Sequence, residues 1–454
     1  LGRDESSDPF LDTVPDFRVC GTSDFEDPMS PLTVQLPEWL EACLDSQVAI
    51  LGSGKSGTGV KTLIEKLGGK ATLYDEGGHT GEKRLFDDSA ARAAGLVVCS
   101  PGFRCDHLWI ERARRNGCRV IPEFDLGASL WKGPVIAVTG TNGKTTLTSF
   151  LHEAFSHVGI ESYAVGNIGK PLCELLAEDC NPEAIAVCEI SSFQSEMIEA
   201  LKADHVLWTN FDEDHLDRHG SMPAYFRSKY KLVANAMSDS LFVDSSVYDY
   251  GVGIGLDLPK SAIVTSNLSS EGLGLTGSVF ETEPERSTYL MGRALWLSLN
   301  LAESSLVEAA HLFEKAPHRM QYLGEKEGIR FWDDSKATNF HAVLGGLKRF
   351  EKPVVWLGGG ESKGGDIEDF AGRIAPKVKY ASLIGKTAIQ LSKALNREGI
   401  KTTIHDSLEE AVTMAFAIAE FEDNIVFSPG FASFDMFENY VQRGEAFRKA
   451  IDCL

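Results

Sequence analysis

The sequence predicts an α/β protein of three domains. Apolar strand segments alternate with helical ones along most of the chain, and strand after strand runs into a glycine-rich or polar turn. A length of 454 residues also corresponds to about three cores. Hydrophobic residues make up 43% and charged residues 24%, an ordinary globular composition. No apolar run approaches membrane-spanning length, so no membrane partner is expected. The first residues lack a basic and apolar leader, so no signal peptide is expected either. Nine cysteines without a C-x-x-C pair suit reduced cytoplasmic thiols rather than disulfides or zinc. A net charge of −22 argues against non-specific nucleic-acid binding. Any site for an anionic small molecule must then be assembled from individual lysines, arginines and glycine turns.

Residues 1–46 are rich in Asp, Glu, Pro and Ser, and they read as a poorly ordered or loosely docked acidic tail. Within it, Pro37-Glu38-Trp39-Leu40-Glu41 has the pattern of a short docking helix. Residues 47–132 are expected to form a Rossmann-like domain. A strand from Val48 to Leu51 enters the turn Gly52-Ser53-Gly54-Lys55-Ser56-Gly57, a helix runs to Leu67, and a second strand ends at Tyr74-Asp75-Glu76. This spacing fits a dinucleotide turn with Asp75 or Glu76 on a ribose, and equally a purely structural tight turn.

Residues 133–317 are expected to form a P-loop-type domain. The strand Val135-Ile136-Ala137-Val138-Thr139 enters Gly140-Thr141-Asn142-Gly143-Lys144-Thr145-Thr146, and a helix starts at Leu147. Glycines let backbone N–H groups curl around a phosphate, and the helix N-terminus adds its positive dipole end. Lys144 would reach the β/γ-phosphates and the Thr145 hydroxyl would face Mg²⁺. Val138 stands where the full Walker pattern has glycine, so the loop is a shortened variant. A strand from Ala184 ends at Glu189, which can hold Mg²⁺ directly or through water. Another strand enters Asp212-Glu213-Asp214-His215, where a structural and a functional role for His215 stand level. The stretch 239–287 reads as an irregular insertion of glycines, serines and short strands, followed by a helical stretch over 293–315.

Residues 318–454 are expected to form a second Rossmann-like domain. Three of its strands enter polar loops, at Asp333-Asp334-Ser335-Lys336, at Gly358-Gly359-Gly360-Glu361-Ser362-Lys363 and at Ser428-Pro429-Gly430. Lys336 and Lys363 at strand ends of an acidic protein favour an anion site over plain surface lysines.

From about residue 48 onward these stretches resemble the Mur ligases, the ATP-dependent amide ligases of peptidoglycan synthesis. The loop 140–146, the Gly166-Asn167-Ile168-Gly169 turn and Asp214-His215-Leu216-Asp217 are similar to motifs shared across that family. The stretches 334–339 and 428–437 are similar to the branch that adds D-glutamate. The resemblance implies ATP and Mg²⁺ as cofactors, UDP-N-acetylmuramoyl-L-alanine and D-glutamate as partners, and a cytoplasmic monomer. It places ATP on Gly140, Thr141, Asn142, Gly143, Lys144, Thr145 and Thr146, with Arg319 and Asp334 on the adenosine side. It assigns the metals to Thr145, Glu189, His215 and a carbamylated Lys229. Catalysis falls to Lys144, His215, Lys229 and Lys336. The UDP-linked substrate falls to Lys55, Ser56, Asp75, Asn167 and His215, and D-glutamate to Thr338, Lys363, Ser433 and Tyr440. The family's His-Asn segment near adenine has no counterpart around Leu290–Leu295, and Tyr440 stands where the resemblance suggests phenylalanine. The nearest alternative, another amide ligase of this architecture such as a folylpolyglutamate synthase, is disfavoured by the stretches 334–339 and 428–437. An NAD-dependent oxidoreductase built on the first glycine turn leaves the phosphate loop unexplained. A nucleotide switch leaves the third-domain lysines unexplained.

Overall fold

Short apolar runs become parallel strands here because helices cover both faces of each sheet. The computed structural model describes residues 36–77, 83–178, 180–237, 240–256, 258–269 and 271–454, so most of the acidic tail lies outside the described residues. The first sheet contains β1 (Gln47–Leu51), β2 (Lys70–Tyr74), β3 (Ala94–Cys99) and β4 (Arg119–Pro122). Its order is β2-β1-β3-β4, with every pair parallel. The second contains β5 (Val135–Thr139), β6 (Ser162–Gly166), β7 (Ile185–Glu189), β8 (His205–Trp208), β9 (Leu241–Val243) and β10 (Ile263–Val264). Its order is β10-β9-β8-β5-β7-β6, again parallel. The third contains β11 (Gln321–Lys326), β12 (Ile329–Asp333), β13 (Val354–Gly359), β14 (Val378–Ile384), β15 (Lys401–His405) and β16 (Asn424–Phe427). Its order is β11-β12-β16-β13-β14-β15, with only β11 running antiparallel to its neighbour.

All five residues of β5 are buried, as its unbroken apolar run requires. One face packs with Phe150 and Trp296 from the helices Lys144–His157 and Glu285–Ser298. The other belongs to a core that continues without a break into the first domain, joining Ala137 and Trp208 with Ile50 and Phe124. Asp125 strengthens that junction, its carboxylate accepting the N–H groups of Glu199, Ala200 and Leu201 at 2.8 Å each. The third sheet has cores of its own on both faces, around Trp356 and around Phe427.

Two stretches follow the sequence expectation and a third differs from it. The segment before β1 docks as the helix Glu38–Leu44, with Leu40 buried and the Arg119 guanidinium 3.9 Å from the Trp39 ring centroid. The insertion contributes β9 and β10 to the central sheet, strands too short to show a period. The helical stretch over 293–315 is two helices, Glu285–Ser298 and Glu303–Leu312. Asn300 between them has φ +56°, a left-handed conformation that asparagine tolerates and a continuing helix does not.

Among the described residues, no helix is long and apolar enough to cross a membrane.

Candidate active site

The phosphate loop joins β5 to the helix Lys144–His157, and the end of β8 holds it in shape. Gly140 has φ +145°, and a Cβ there would lie 1.9 Å from the Thr209 hydroxyl, so only glycine fits. Thr209 Oγ1 donates to the Asn142 carbonyl at 2.5 Å, and Asn210 Oδ1 accepts the Asn142 N–H at 2.8 Å. Lys144 Nζ lies over the loop and donates to the Gly140 and Thr141 carbonyls at 2.8 Å each. Burial lowers the Lys144 pKa, and the nearby Glu189 and Asp214 carboxylates oppose that fall.

Beside the loop stand the groups that can face a metal. Glu189 ends β7 and is 1% exposed. Its Oε1 accepts from Asn167 Nδ2 at 2.7 Å, whereas Oε2 is buried with no hydrogen-bond partner. An orphaned carboxylate oxygen is costly unless a cation or donor completes it. Among the described residues no group of three or more His, Cys, Asp or Glu side chains could hold a metal. A single orphaned carboxylate therefore fits Mg²⁺, which takes few protein ligands and keeps phosphate oxygens and waters. His215 has φ +53° and packs edge-on to Phe193, ring centroids 4.7 Å apart. Burial brings its pKa down to about 3, so the ring is neutral and keeps a lone pair at physiological pH. Lys229, on the helix Met222–Ala234, is 1% exposed and donates to the Gly140 carbonyl at 2.8 Å. Burial, with Lys144 nearby, holds its amine well below the usual lysine range.

The third domain closes over this surface. Lys363 Nζ donates to Asp214 Oδ1 at 2.8 Å and lies 3.5 Å from Thr338 Oγ1. Burial raises the Asp214 pKa, but Lys363 and His215 outweigh it and bring the carboxyl below its ordinary value. Asn339 Nδ2 donates to Asp214 Oδ2 at 2.9 Å and to Asn142 Oδ1 at 3.2 Å, and Asn142 Nδ2 meets His341 Nδ1 at 2.9 Å. Between the two domains lies a cavity of about 790 Å³, lined by Asn142, Gly143 and Thr146 on one side and Arg319, Asp334 and Lys336 on the other. The Asp334 oxygens accept from the Met320 N–H at 3.1 Å and the Ser428 hydroxyl at 2.7 Å, and burial pushes its pKa up to about 7. Ser433 is buried in the loop after β16.

Lys336 stands 3.9 Å from the Tyr440 ring centroid. Burial, then the Arg319 charge, lowers its pKa to about 8. Anion binding raises such a pKa, so above about pH 8 binding must take up a proton and weakens as pH rises. The affinity for a non-hydrolysable ATP analogue is therefore expected to fall as pH passes about 8. Lys336→Arg, with a guanidinium that stays charged, should flatten this limb. An unchanged affinity from about pH 7 to about 9.5 in the wild-type protein would contradict it.

The residues expected to meet the UDP-linked substrate lie at the first sheet. Asp75 Oδ2 accepts from both the N–H and the hydroxyl of Ser53, and Oδ1 accepts the Gly77 N–H at 2.9 Å. Asp75 thus braces the glycine turn itself. A Cβ on Gly57 would lie 1.9 Å from the Gly52 carbonyl, so close approach accounts for that glycine. Ser56 follows Lys55 in the first turn of the helix Lys55–Lys66. Lys55 Nζ reaches the Gly169 carbonyl at 3.4 Å, which brings this turn beside Asn167 and the central domain.

Sequence reasoning named Lys144, Glu189, His215, Lys229, Lys336 and Lys363 separately, and the structure gathers them around one cleft. It missed the roles of Asp214, Thr209, Asn210, Asn339 and His341. Asp214 and Asn339 lie inside the quoted motifs, but nothing in either motif marks them as partners.

Residues 138–250 match the Mur ligase middle domain, and residues 318–431 match the Mur ligase, glutamate ligase domain. A UDP-N-acetylmuramoylalanine--D-glutamate ligase from Geobacter sp. (strain M21) is 31% identical over 450 residues, covering 90% of this chain and 97% of that protein. One from Aquifex aeolicus (strain VF5) is 32% identical over 420 residues, covering 89% and 98%. Among solved structures, the UDP-N-acetylmuramate-alanine ligase MurC from Thermotoga maritima superposes with a TM-score of 0.56 at 16% identity, covering 90% of this chain and 99% of that chain. The MurF ligase from Thermotoga maritima in complex with ADP gives 0.54 at 15% identity, covering 81% and 91%. At these identities the structures support the three-domain α/β fold.

Proposed function

Because the chain belongs to the Mur ligase family, we propose that it is an ATP-dependent amide ligase joining D-glutamate to UDP-N-acetylmuramoyl-L-alanine in peptidoglycan precursor synthesis. The observation that carries this reading is Lys363 Nζ on a carboxylate, Asp214, beside His215 and the phosphate loop. A third-domain cation suited to a carboxylate thus stands next to the phosphate-handling groups of the middle domain. We further propose that the protein acts as a monomer in the cytoplasm and that the first domain receives the UDP end of the substrate.

The chemistry has two stages. The muramoyl-alanine carboxylate attacks the γ-phosphorus and the bond to ADP breaks, giving an acyl phosphate. The neutral amine of D-glutamate then attacks the acyl carbon, the C–N bond forms, the acyl C–O bond to phosphate breaks, and the nitrogen gives up one proton as phosphate leaves. The loop 140–146 and the N-terminus of its helix hold the phosphates, and Lys144 follows the charge that builds on the transferring group. Lys336 faces the acyl phosphate, with Tyr440 orienting its ammonium. Lys363, Thr338 and Ser433 hold the D-glutamate carboxylates and leave the amine free. Glu189, Thr145 and His215 would hold Mg²⁺, which when bound neutralises phosphate oxygens. The Asn339 link between Asp214 and Asn142 joins the domains, so closure and chemistry share residues.

Mass-spectrometric product analysis with ATP, UDP-N-acetylmuramoyl-L-alanine and a panel of amino acids tests the reaction. A single new amide with D-glutamate is expected, and L-glutamate should be a poor substrate because its amine is turned away while the carboxylates stay held. Lys363→Ala should raise the KM for D-glutamate roughly 30-fold or more and the KM for ATP far less. Equal use of both enantiomers, or an effect confined to ATP, would overturn the acceptor assignment.

A further inference from the structure

Glu285 is the first residue of the helix Glu285–Ser298, and it lines the 790 Å³ cavity together with Lys315. The residue is 7% exposed. One oxygen, Oε1, holds the Lys315 ammonium. The other, Oε2, is buried and has no hydrogen-bond partner. One turn further along the helix, Thr288 lines the same cavity, and its hydroxyl lies 3.3 Å from a Cβ built on Gly143. The cavity therefore runs from the phosphate loop, past Thr288, to an acceptor that lacks a donor. Of the other carboxylates lining this cavity, Asp334 has both oxygens engaged by Met320 and Ser428, while Asp212, Asp244 and Glu283 accept from the Glu213 N–H, from Ser246 and from the Ser287 hydroxyl.

We propose that Glu285 is the residue that selects the nucleobase, its Oε2 accepting an N–H of the 6-amino group of adenine. This rests on the reading of the cleft as a nucleotide site. A buried anionic oxygen gains most from a donor that arrives with the ligand, because leaving it unpaired is costly. The Lys315 ammonium beside it presents a donor, so the pair matches a purine edge that carries an amino donor next to a ring-nitrogen acceptor. Guanine suits the site less. Pairing a carboxylate with guanine N1–H and the 2-amino group uses both oxygens, and Oε1 is taken. In the adenine orientation the guanine O6 would also face Oε2, acceptor against acceptor.

Calorimetric binding to the full-length protein, without the co-substrates and so without turnover, tests this directly. ATP should bind about 10- to 100-fold more tightly than purine riboside 5′-triphosphate, which lacks only the amino group, and more tightly than GTP. In Glu285→Ala the two purine ligands should come within about twofold of each other. Glu285→Gln, which keeps an acceptor oxygen, should retain the preference. Equal binding of ATP and the deamino analogue to the wild-type protein would overturn the proposal without any variant. So would GTP binding at least as well as ATP, or an equal loss for both purine ligands in Glu285→Ala. If no triphosphate binds, the nucleotide reading of the cleft falls along with it. If ATP binds without regard to the amino group, the role of Glu285 falls alone.

Discussion

Lys144→Ala is expected to lower the rate of ATP-dependent ligation by at least about 10²-fold while leaving the fold intact. The side chain is polar, lies over its own loop and donates only to the Gly140 and Thr141 carbonyls. The Gly140 carbonyl has a second donor in Lys229, so the loop keeps its shape without Lys144. What would be lost is a positive charge over the loop proposed to hold the transferring phosphoryl group, in a site where burial strengthens electrostatics. Thr209 and Asn210 fix the loop from the neighbouring strand, and those contacts do not depend on the lysine. Circular dichroism and a melting temperature close to wild type should accompany the loss of turnover. Near-normal turnover in the folded variant would sink the assignment of the phosphate loop.

Lys229→Ala should be nearly inactive, with a loss on the order of 10²-fold or more, and partly restored by short carboxylic acids such as acetate. The amine sits among the metal-facing groups, and burial together with Lys144 holds its pKa far below the lysine range. A neutral amine is the form that reacts with CO₂. Its lone pair forms an N–C bond, a C=O π pair moves onto oxygen, a proton leaves nitrogen, and the cation's place is taken by a carboxylate. That carboxylate would stand beside Glu189 and His215 and meet the demand of Mg²⁺ for anionic oxygen. A carbamate signal in ¹³C NMR after equilibration with ¹³C-bicarbonate, absent from Lys229→Ala, is the expected direct observation. An unmodified amine at ample bicarbonate, or a variant that no carboxylic acid restores, would count against it.

Much of this protein is legible along the chain, because the signals concerned are local. The strand–loop–helix order at 135–157 is legible as a candidate phosphate loop from a single stretch, since backbone N–H groups, glycine conformations and a helix terminus all belong to neighbouring residues. Glu189 and Lys336 are legible for the same reason: each stands at or just beyond the end of an apolar strand, where open α/β sheets place their chemistry. Strands of the central and third sheets were legible where an apolar run enters a polar or glycine-rich turn, and β9 and β10 fall in the stretch read as an insertion with short strands. β11, β14 and β15 were not picked out, because residues such as Glu325, Lys379, Ser382 and Lys401 break up their apolar character.

Tertiary structure decided which of these groups meet. Lys363 and Asp214 are 149 positions apart, and Asn142 and Asn339 are 197 apart, so no pattern in either stretch pairs them. Asp75, whose place after a strand suggested a ribose, also accepts from Ser53 in the glycine turn and from the Gly77 N–H beyond β2, contacts that no local pattern announces. Glu285 is the clearest case. In the sequence it is one acid among many in an acidic chain. Burial at the head of a helix, with Lys315 on one oxygen and nothing on the other, makes it an acceptor waiting for a donor. Residue type and local order are written in the chain, whereas desolvation and long-range pairing exist only once distant segments pack together. Those two terms set the charge states and the unsatisfied groups on which this site depends.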